Sequence, residues 1–405
     1  MAKVAILGFG VVGSGVAEVL RRNGPHIDEK IHSAVELKYI LDVRDFPNSP
    51  FAPYVVHDFA QIEGDPEVDI VVETIGGATI AREFTERALR AGKSVVTSNK
   101  ELVAEHGYEL MRLAQEHGAS YLYEASVGGG IPIIRPLKQC LAANEITEIC
   151  GILNGTTNYI LTRMIRAGLP FGEALKEAQA NGYAEQDPTA DIEGHDACRK
   201  ICILASLAFG RHVYPAQAPT EGISGVALAD VAYAESCGRK IKLLGRAIRG
   251  TDGKVRAFVA PHLVDGENPL AGVEDVFNAI TVKGNAIGDV MFYGRGAGKL
   301  PTASAVVADV MEAARSMDRP KYLDWGPGGE DVAVPPDDVA SAWYVRAEAS
   351  AEQVRAAFPD ASFLARAGAP AGETAFLTAG TLTRPALDGK LTALTPRSVF
   401  RILTD

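Results

Sequence analysis

The sequence predicts an α/β protein: a doubly wound parallel sheet first, an α+β region in the middle, and a small α+β unit at the C-terminal end. Three observations carry this. Over residues 1–135, short apolar runs alternate with helix-length amphipathic runs, the rhythm of a parallel sheet covered on both faces. From about residue 136 helices cluster, and strand-like runs come after them. Beyond the Pro-, Gly- and Asp-rich stretch WGPGGEDVAVPPDD, which reads as a linker, residues 335–405 run strand, helix, strand, strand, helix, strand.

Element by element, Val4 to Leu7 read as a buried strand, then a glycine turn, then a helix with Val16, Val19 and Leu20 inward. Asn23-Gly24-Pro25 is expected to stop that helix. ELKYILD and VDIVVET are strands, TIAREFTERALRAG a helix and KSVVTSN a strand. A helix from Glu101 to about His117 and the strand SYLYEAS close the first unit. The second unit, 136–300, has helices from about Thr157, from Phe171 to Asn181 and from about Ile192 to Phe209. Strands KIKLLGRAIR, VRAFVAPHLV, NAITVKG and DVMFYG follow. A helix at about 301–318 is expected to return to the first unit and complete it. SAWYVRAEA, AEQVRAAF and RSVFRIL mark the strand, helix and final strand of the last unit.

Length and composition narrow the function. A chain of 405 residues is long enough for several cores. A net charge of −11 with no basic block argues against nucleic acid and anionic membranes as partners. No apolar run approaches the ~20 residues of a membrane span. No signal peptide precedes the first strand, which points to the cytoplasm. The five cysteines form no C-x-x-C pair and read as reduced core thiols, and the eight histidines show no metal spacing.

LGFGVVG places Gly8, Gly10 and Gly13 in a G-x-G-x-x-G turn between a buried strand and a helix. That context, rather than the glycines alone, predicts a Rossmann-like unit. Gly8 permits the tight turn, Gly10 lets a pyrophosphate approach the backbone, and Gly13 lets the helix pack on the strand. Asp42, ending the second strand, is placed for a ribose 2′-hydroxyl, and Arg44 for a 2′-phosphate; both as plain surface charges is the remaining reading.

The second constellation is GYAEQDPTADIEGHDACRK, a carboxylate-rich stretch running into the apolar ICILASLAF. Glu185 falls in a loop, and Asp191 reads as a helix N-cap. Asp196 and Lys200, four apart, share a helix face that becomes apolar all round. They are either a structural ion pair or a desolvated lysine tuned for proton transfer. Lys100, in TSNKELVAEHG, lies at the C-terminal end of a sheet strand, where doubly wound sheets bind ligands. Two lysines converging there would oppose each other's protonation.

These motifs, with VVETIGG, EASVGGGIPII, GILNGTTNYIL and YGRGAGKLPTASAV, occur in the order found in the homoserine dehydrogenase family, which the chain resembles over residues 4 to 310. The resemblance implies reversible NAD(P)-dependent oxidation of L-homoserine to L-aspartate 4-semialdehyde, the shared step toward threonine, methionine and isoleucine. It implies Lys200 as the proton-transfer lysine, with Lys100 and Asp196 beside it. Glu185, Asp196, Thr156 and Tyr183 are implied at the substrate. Gly8, Phe9, Gly10, Val11, Val12, Gly13, Thr74, Lys100, Gly182 and Gly298 are implied at the cofactor. Glu124, Val127, Gly129 and Ile131 match a sodium site of many members; EASVGGGIP reads equally as a glycine-rich strand end. A catalytic middle domain that also forms a homodimer, or a dimer of dimers, and an ACT-like C-terminal domain are implied too. RAEASAEQVRAAF lacks the family's glycine-bearing effector loop, which leaves threonine feedback without a motif to carry it. The relatives' Lys-Pro-Arg run is replaced by VRDFPNSP, so NAD and NADP both stay open. Another Rossmann amino- or hydroxy-acid dehydrogenase, or a nucleotide-sensing protein without turnover, are the competing readings.

Overall fold

The computed structural model describes residues 1–319 and 321–404. Its first unit contains β1 (Ala2–Leu7), α1 (Val11–Ile31), β2 (Val35–Leu41), β3 (Val55–Val56), α2 (Ala60–Glu63), β4 (Ile70–Glu73), α3 (Thr79–Arg90), β5 (Ser94–Thr97), α4 (Lys100–Glu116) and β6 (Tyr121–Leu122). The strands are all parallel, in the order β3-β2-β1-β4-β5-β6. The strand order reverses beside β1, so the carboxyl ends of β1 and β4 open a crevice. β4 and β5 are buried at every residue, as strands covered on both faces must be.

Two expectations fail in this unit. The first helix does not stop at Asn23-Gly24-Pro25; α1 runs through Pro25 and ends at His32 in the left-handed region (φ 55). Proline inside a helix costs about 3 kcal/mol. Ile27 and Ile31 are buried beyond it, each side chain stabilising by about 1.5–3 kcal/mol, so packing wins over the local stop signal. SYLYEAS is a strand only at Tyr121–Leu122, after which a 3-10 turn spans Glu124–Ser126. The Glu124 N–H donates to the Asp309 carboxylate (2.8 Å) rather than to a strand neighbour.

The middle contains β7 (Ile146–Ile152), α5 (Gly155–Ala167), α6 (Phe171–Ala180), α7 (Thr189–Ile192), α8 (His195–Phe209), α9 (Leu228–Ser236), β8 (Arg239–Arg249), β9 (Val255–Asp265), β10 (Phe277–Gly284), β11 (Gly288–Arg295) and α10 (Lys299–Arg315). β7, α7 and α9 are additions to the sequence reading. The buried helix starts at His195, not near Ile192. Gly194 precedes it at φ 82, where a side chain would be strained and would crowd Thr220 at 2.9 Å. Asp191 therefore lies inside α7 and is not the N-cap of α8. Ala303, Val306, Val307, Val310 and Ala313 of α10 pack against Val4, Ile6, Val16 and Leu20 of the parallel sheet and α1.

The remaining elements are β12 (Ala342–Glu348), α11 (Ala351–Ala357), β13 (Ser362–Leu364), β14 (Glu373–Leu377), α12 (Arg384–Leu391) and β15 (Thr395–Leu403). They do not form a sheet of their own. β15 runs parallel to β9, with Arg401 opposite His262 and Leu403 opposite Val264. The result is one nine-stranded sheet, β11-β10-β7-β8-β9-β15-β12-β14-β13. WGPGGEDVAVPPDD is not a free linker either. Trp325 is buried, and Val255 exchanges main-chain hydrogen bonds with Val332 and Val334 (2.9 Å each).

Candidate active site

The site is built where α8 of the middle unit meets the start of α4, just past the carboxyl end of β5. A lysine at the start of α4 and an acid–lysine pair on α8 come together there. Asp196 is buried and acts as the hinge of three contacts. Its Oδ2 accepts from Lys200 Nζ (2.7 Å) and from Asn154 Nδ2 (2.8 Å), and its Oδ1 lies 2.6 Å from Lys100 Nζ. The Lys100 contact is an ion pair off the angle of a good hydrogen bond, so Oδ1 keeps no well-aimed donor. Lys200 Nζ also donates to the Leu153 carbonyl (2.8 Å). An ammonium carries three N–H groups, so one direction is left for a substrate.

The charges divide unequally. Burial pushes the Lys200 ammonium down, against the pull of Asp196 and with the repulsion of Lys100. Burial also opposes charge on Lys100, yet Asp196 outweighs it and Lys100 ends above the ordinary lysine range. Mutual suppression of the two lysines thus acts on Lys200 alone. For Asp196, burial would raise the carboxyl, but Lys200 and Lys100 prevail and hold it far below the usual carboxylate range.

The residues around this trio are placed less uniformly. Glu185 is exposed, and its carboxylate takes no partner among the described residues. Thr156 donates to the Tyr183 carbonyl (2.6 Å), so it holds the loop after Gly182 rather than pointing an open hydroxyl into the site. The Tyr183 ring is exposed and tilts against Tyr159, 4.9 Å between centroids. One residue, Asn154, escaped the sequence reading, and another, Asp191, was read there only as a helix N-cap. Asn154 caps α5 through Thr157 N (2.8 Å) and turns its amide on Asp191 (2.7 Å) and Asp196. Asp191 is held there with its carboxyl pushed up, by burial first and the charge of Asp196 second. The motif GILNGTTNYIL contained Asn154, but its partners lie 37 and 42 residues away.

On the other side of the crevice, Gly8 has φ 87 and a Cβ there would stand 3.0 Å from the Thr74 carbonyl. A Cβ on Gly13 would overlap the Gly8 carbonyl at 1.9 Å, whereas nothing lies within 4 Å of one on Gly10. Gly10 is thus the open floor of the turn, as close approach of a phosphate requires. Thr74 Oγ1 sits between the Leu7 and Gly8 carbonyls (2.9 Å each) and pins the turn. A cavity of about 460 Å³ continues from Gly8 and Gly10 past Asp42, Arg44, His57 and Thr74 to Phe84. Phe9 is buried beside Phe46 and Phe51, while Val11 is exposed and Val12 half-buried at the start of α1. Gly182 (φ 74) and Gly298 (φ 123) take conformations that suit glycine. Next to Gly298, the Lys299 carbonyl lies 2.9 Å from where a Gly15 Cβ would be, which sets that loop against α1.

The sodium residues do not assemble a carboxylate site. Glu124 Oε1 accepts from Ile133 N (2.7 Å) and Ile134 N (2.8 Å), and Oε2 from Arg135 N (2.9 Å). That carboxylate caps a turn, which leaves only main-chain carbonyls at Val127, Gly129 and Ile131. No group of three or more metal-ligating side chains occurs among the described residues. The donor set does not fit a carboxylate-held cation.

A family described as "Homoserine dehydrogenase, NAD binding domain" matches residues 8–124, and one described as "Homoserine dehydrogenase" matches residues 132–311. The chain belongs to the homoserine dehydrogenase family. A homoserine dehydrogenase of Neisseria gonorrhoeae is 41% identical over 358 residues, 86% of this chain and 82% of that protein. One of Synechocystis is 47% identical over 315 residues, 76% and 72% of the two chains. The crystal structure of a homoserine dehydrogenase from Thiobacillus denitrificans superposes with a TM-score of 0.91 at 35% identity, covering 99% of this chain and 98% of that one. A hyperthermophilic archaeal homoserine dehydrogenase, solved in complex with NADPH, aligns at a TM-score of 0.65 and 28% identity over 77% of this chain and 97% of its own. As a homoserine dehydrogenase, the chain is an oxidoreductase that interconverts L-homoserine and L-aspartate 4-semialdehyde with a nicotinamide cofactor. The glycine turn and the cavity beside it fit the pyrophosphate and adenosine parts of such a cofactor.

Proposed function

We propose that Lys200 moves the proton in this homoserine dehydrogenase and that Asp196 and Lys100 aim it. The observation that carries this is one buried carboxylate held between two lysines from different units, Lys200 at 2.7 Å and Lys100 at 2.6 Å. The bound nicotinamide supplies the hydride acceptor. Homoserine's hydroxyl loses its proton as its carbon loses hydride, and neutral Lys200 accepts that proton at Nζ; in the reverse direction the ammonium returns it. Its lowered pKa makes the neutral form accessible, so homoserine oxidation speeds up with rising pH and the reverse reaction slows. Glu185 and Asp191 receive the substrate ammonium, with Tyr183 and Thr156 shaping the loop around it. Gly8 to Gly13, Thr74, Gly182 and Gly298 line the cofactor side.

The test is absorbance at the reduced-nicotinamide band with homoserine as substrate. Lys200→Met should lower kcat by about 100- to 10,000-fold, the size of a lost general base, with cofactor Kd within about threefold. Near-normal kcat in that variant ends the proton-transfer assignment.

NADP is the preferred cofactor in this reading. Asp42 is saturated: Oδ1 accepts Arg44 N (3.0 Å) and Nε (2.9 Å), and Oδ2 accepts Phe9 N (2.8 Å) and an Arg44 terminal nitrogen (3.0 Å). Arg44's hydrogen bonds, the largest influence, hold Asp42 down to about 2, so its acceptor directions are all spent. The exposed remainder of the guanidinium faces the cavity and suits a 2′-phosphate. Arg44→Ala should cut kcat/KM with NADP at least about tenfold, one lost charged hydrogen bond, and leave NAD within about threefold. Equal losses with both cofactors remove Arg44 from this role.

The units 1–135 with helix 301–318, 136–300 and 335–405 are offered as nucleotide-binding, catalytic and ACT-like domains. Ile287, Met291 and Tyr293, exposed on and beside the edge strand β11, support a homodimer through the middle unit. No helix of the described residues is long and apolar enough to cross a membrane, which is compatible with the cytoplasm.

A further inference from the structure

We infer that Glu73 is a positioning residue that ties the cofactor-side loop to the start of the Lys100 helix, so that seating the cofactor and placing Lys100 are one event. This rests on the functional reading above and adds a residue to it.

Glu73 ends β4 and is fully buried. Its Oε1 accepts from Ile75 N (2.6 Å), in the loop just after Thr74, and its Oε2 accepts from Thr97 Oγ1 (2.5 Å), at the end of β5. Thr97 Oγ1 in turn accepts from Asn99 N (2.9 Å). Asn99 caps α4: its Oδ1 takes Leu102 N (3.1 Å), one turn into the helix that Lys100 begins. The ring closes because Asn99 Nδ2 donates back to the Ile75 and Gly77 carbonyls (3.3 and 2.7 Å). One side of this closed circuit holds Thr74, which pins the Gly8 turn. The other side fixes the residue from which Lys100 reaches Asp196.

A carboxylate without a cation partner is an expensive way to fill a core position. Burial pushes Glu73 up to about 7, against the two hydrogen bonds it accepts, so its charge is held at a cost that those bonds only partly offset. What an apolar residue would not do is accept from both loops at once. The two oxygens, one per loop, are the reason for an acid here.

The experiment is a double-mutant cycle on the full chain with saturating homoserine and both cofactors. Wild-type turnover is recorded first; its absence overturns the reaction assignment and this inference with it, whereas the variants below overturn this inference alone. Glu73→Gln should lower kcat at least tenfold and raise the cofactor KM. In a Lys100→Met background the same change should lower kcat less than threefold, because the helix start it places no longer carries the lysine. Thr97→Val cuts the circuit at its middle and should behave alike, which keeps the test usable if Glu73→Gln folds poorly. Losses that multiply in the double variants, or wild-type kcat in Glu73→Gln, overturn the inference.

Discussion

At the scale of residues, the site depends on how one carboxylate is shared. Asp196 leaves Lys100 charged and Lys200 depressed, and Asn154 fixes the face Asp196 shows to them. Asn154→Ser separates two duties of that residue. Serine still caps α5, so stability should change by less than about 1 kcal/mol. The bridge to Asp191 and Asp196 is lost, so kcat/KM for homoserine should fall at least about tenfold through misplaced groups. Steady-state kinetics beside a thermal melt checks both halves. The sequence showed Asp196 and Lys200 together because helical spacing brings residues four apart onto one face. It hid Asn154 and the place of Asp191 beside it, since nothing local in GILNGTTNYIL reveals a partner across two intervening helices. It also hid the commitment of Glu124 to three backbone N–H groups of residues it reaches only by folding back.

At the scale of elements, the parallel sheet was legible because β4 and β5 are short, wholly buried runs and the helices between the strands have their own period. One failure is a local signal lost to burial. Asn23-Gly24-Pro25 carries the residues of a helix stop, yet α1 continues because Ile27 and Ile31 have a core to enter. Pro25 lacks an N–H that the helix would use there, and Pro25→Ala should stabilise the fold by about 1–3 kcal/mol, read as a higher denaturant midpoint with an unchanged slope. No gain would mean that α1 has accommodated the proline fully. β7 was missed for the opposite reason. ITEICGI carries Thr147 and Glu148 among its apolar residues, and only its neighbours β8 and β10 make it a central strand.

At the scale of the whole molecule, the C-terminal unit is fastened to the middle one by charge as well as by strands. Asp230, on α9, is fully buried and accepts from Arg346 (2.7 Å), Tyr344 (2.9 Å) and Ser398 (2.9 Å). Removing it leaves Arg346 with Glu373 (3.2 Å) as its remaining carboxylate partner and leaves the Tyr344 hydroxyl without its acceptor, which costs about 1–3 kcal/mol. Asp230→Ala should therefore lower the unfolding free energy by that order in chemical denaturation; a loss under about 1 kcal/mol would show that the cluster is only loosely coupled to folding. The Pro-, Gly- and Asp-rich stretch before residue 335 was readable as composition, but the join beyond it was not, because pairing between β9 and β15 leaves no mark on either strand. That join also orders events during synthesis. Residues 219–221 and 332–334 already bond to Val259 and Val255 of β9, but the partner of residues 262–264 arrives only with residues 401–403 of β15. Until the ribosome has delivered β15, a nascent chain carries an uncapped ribbon edge ready to zip onto a neighbour. Stalled or nicked products that stop short of Thr395 are thus the forms of this enzyme most prone to stick to one another.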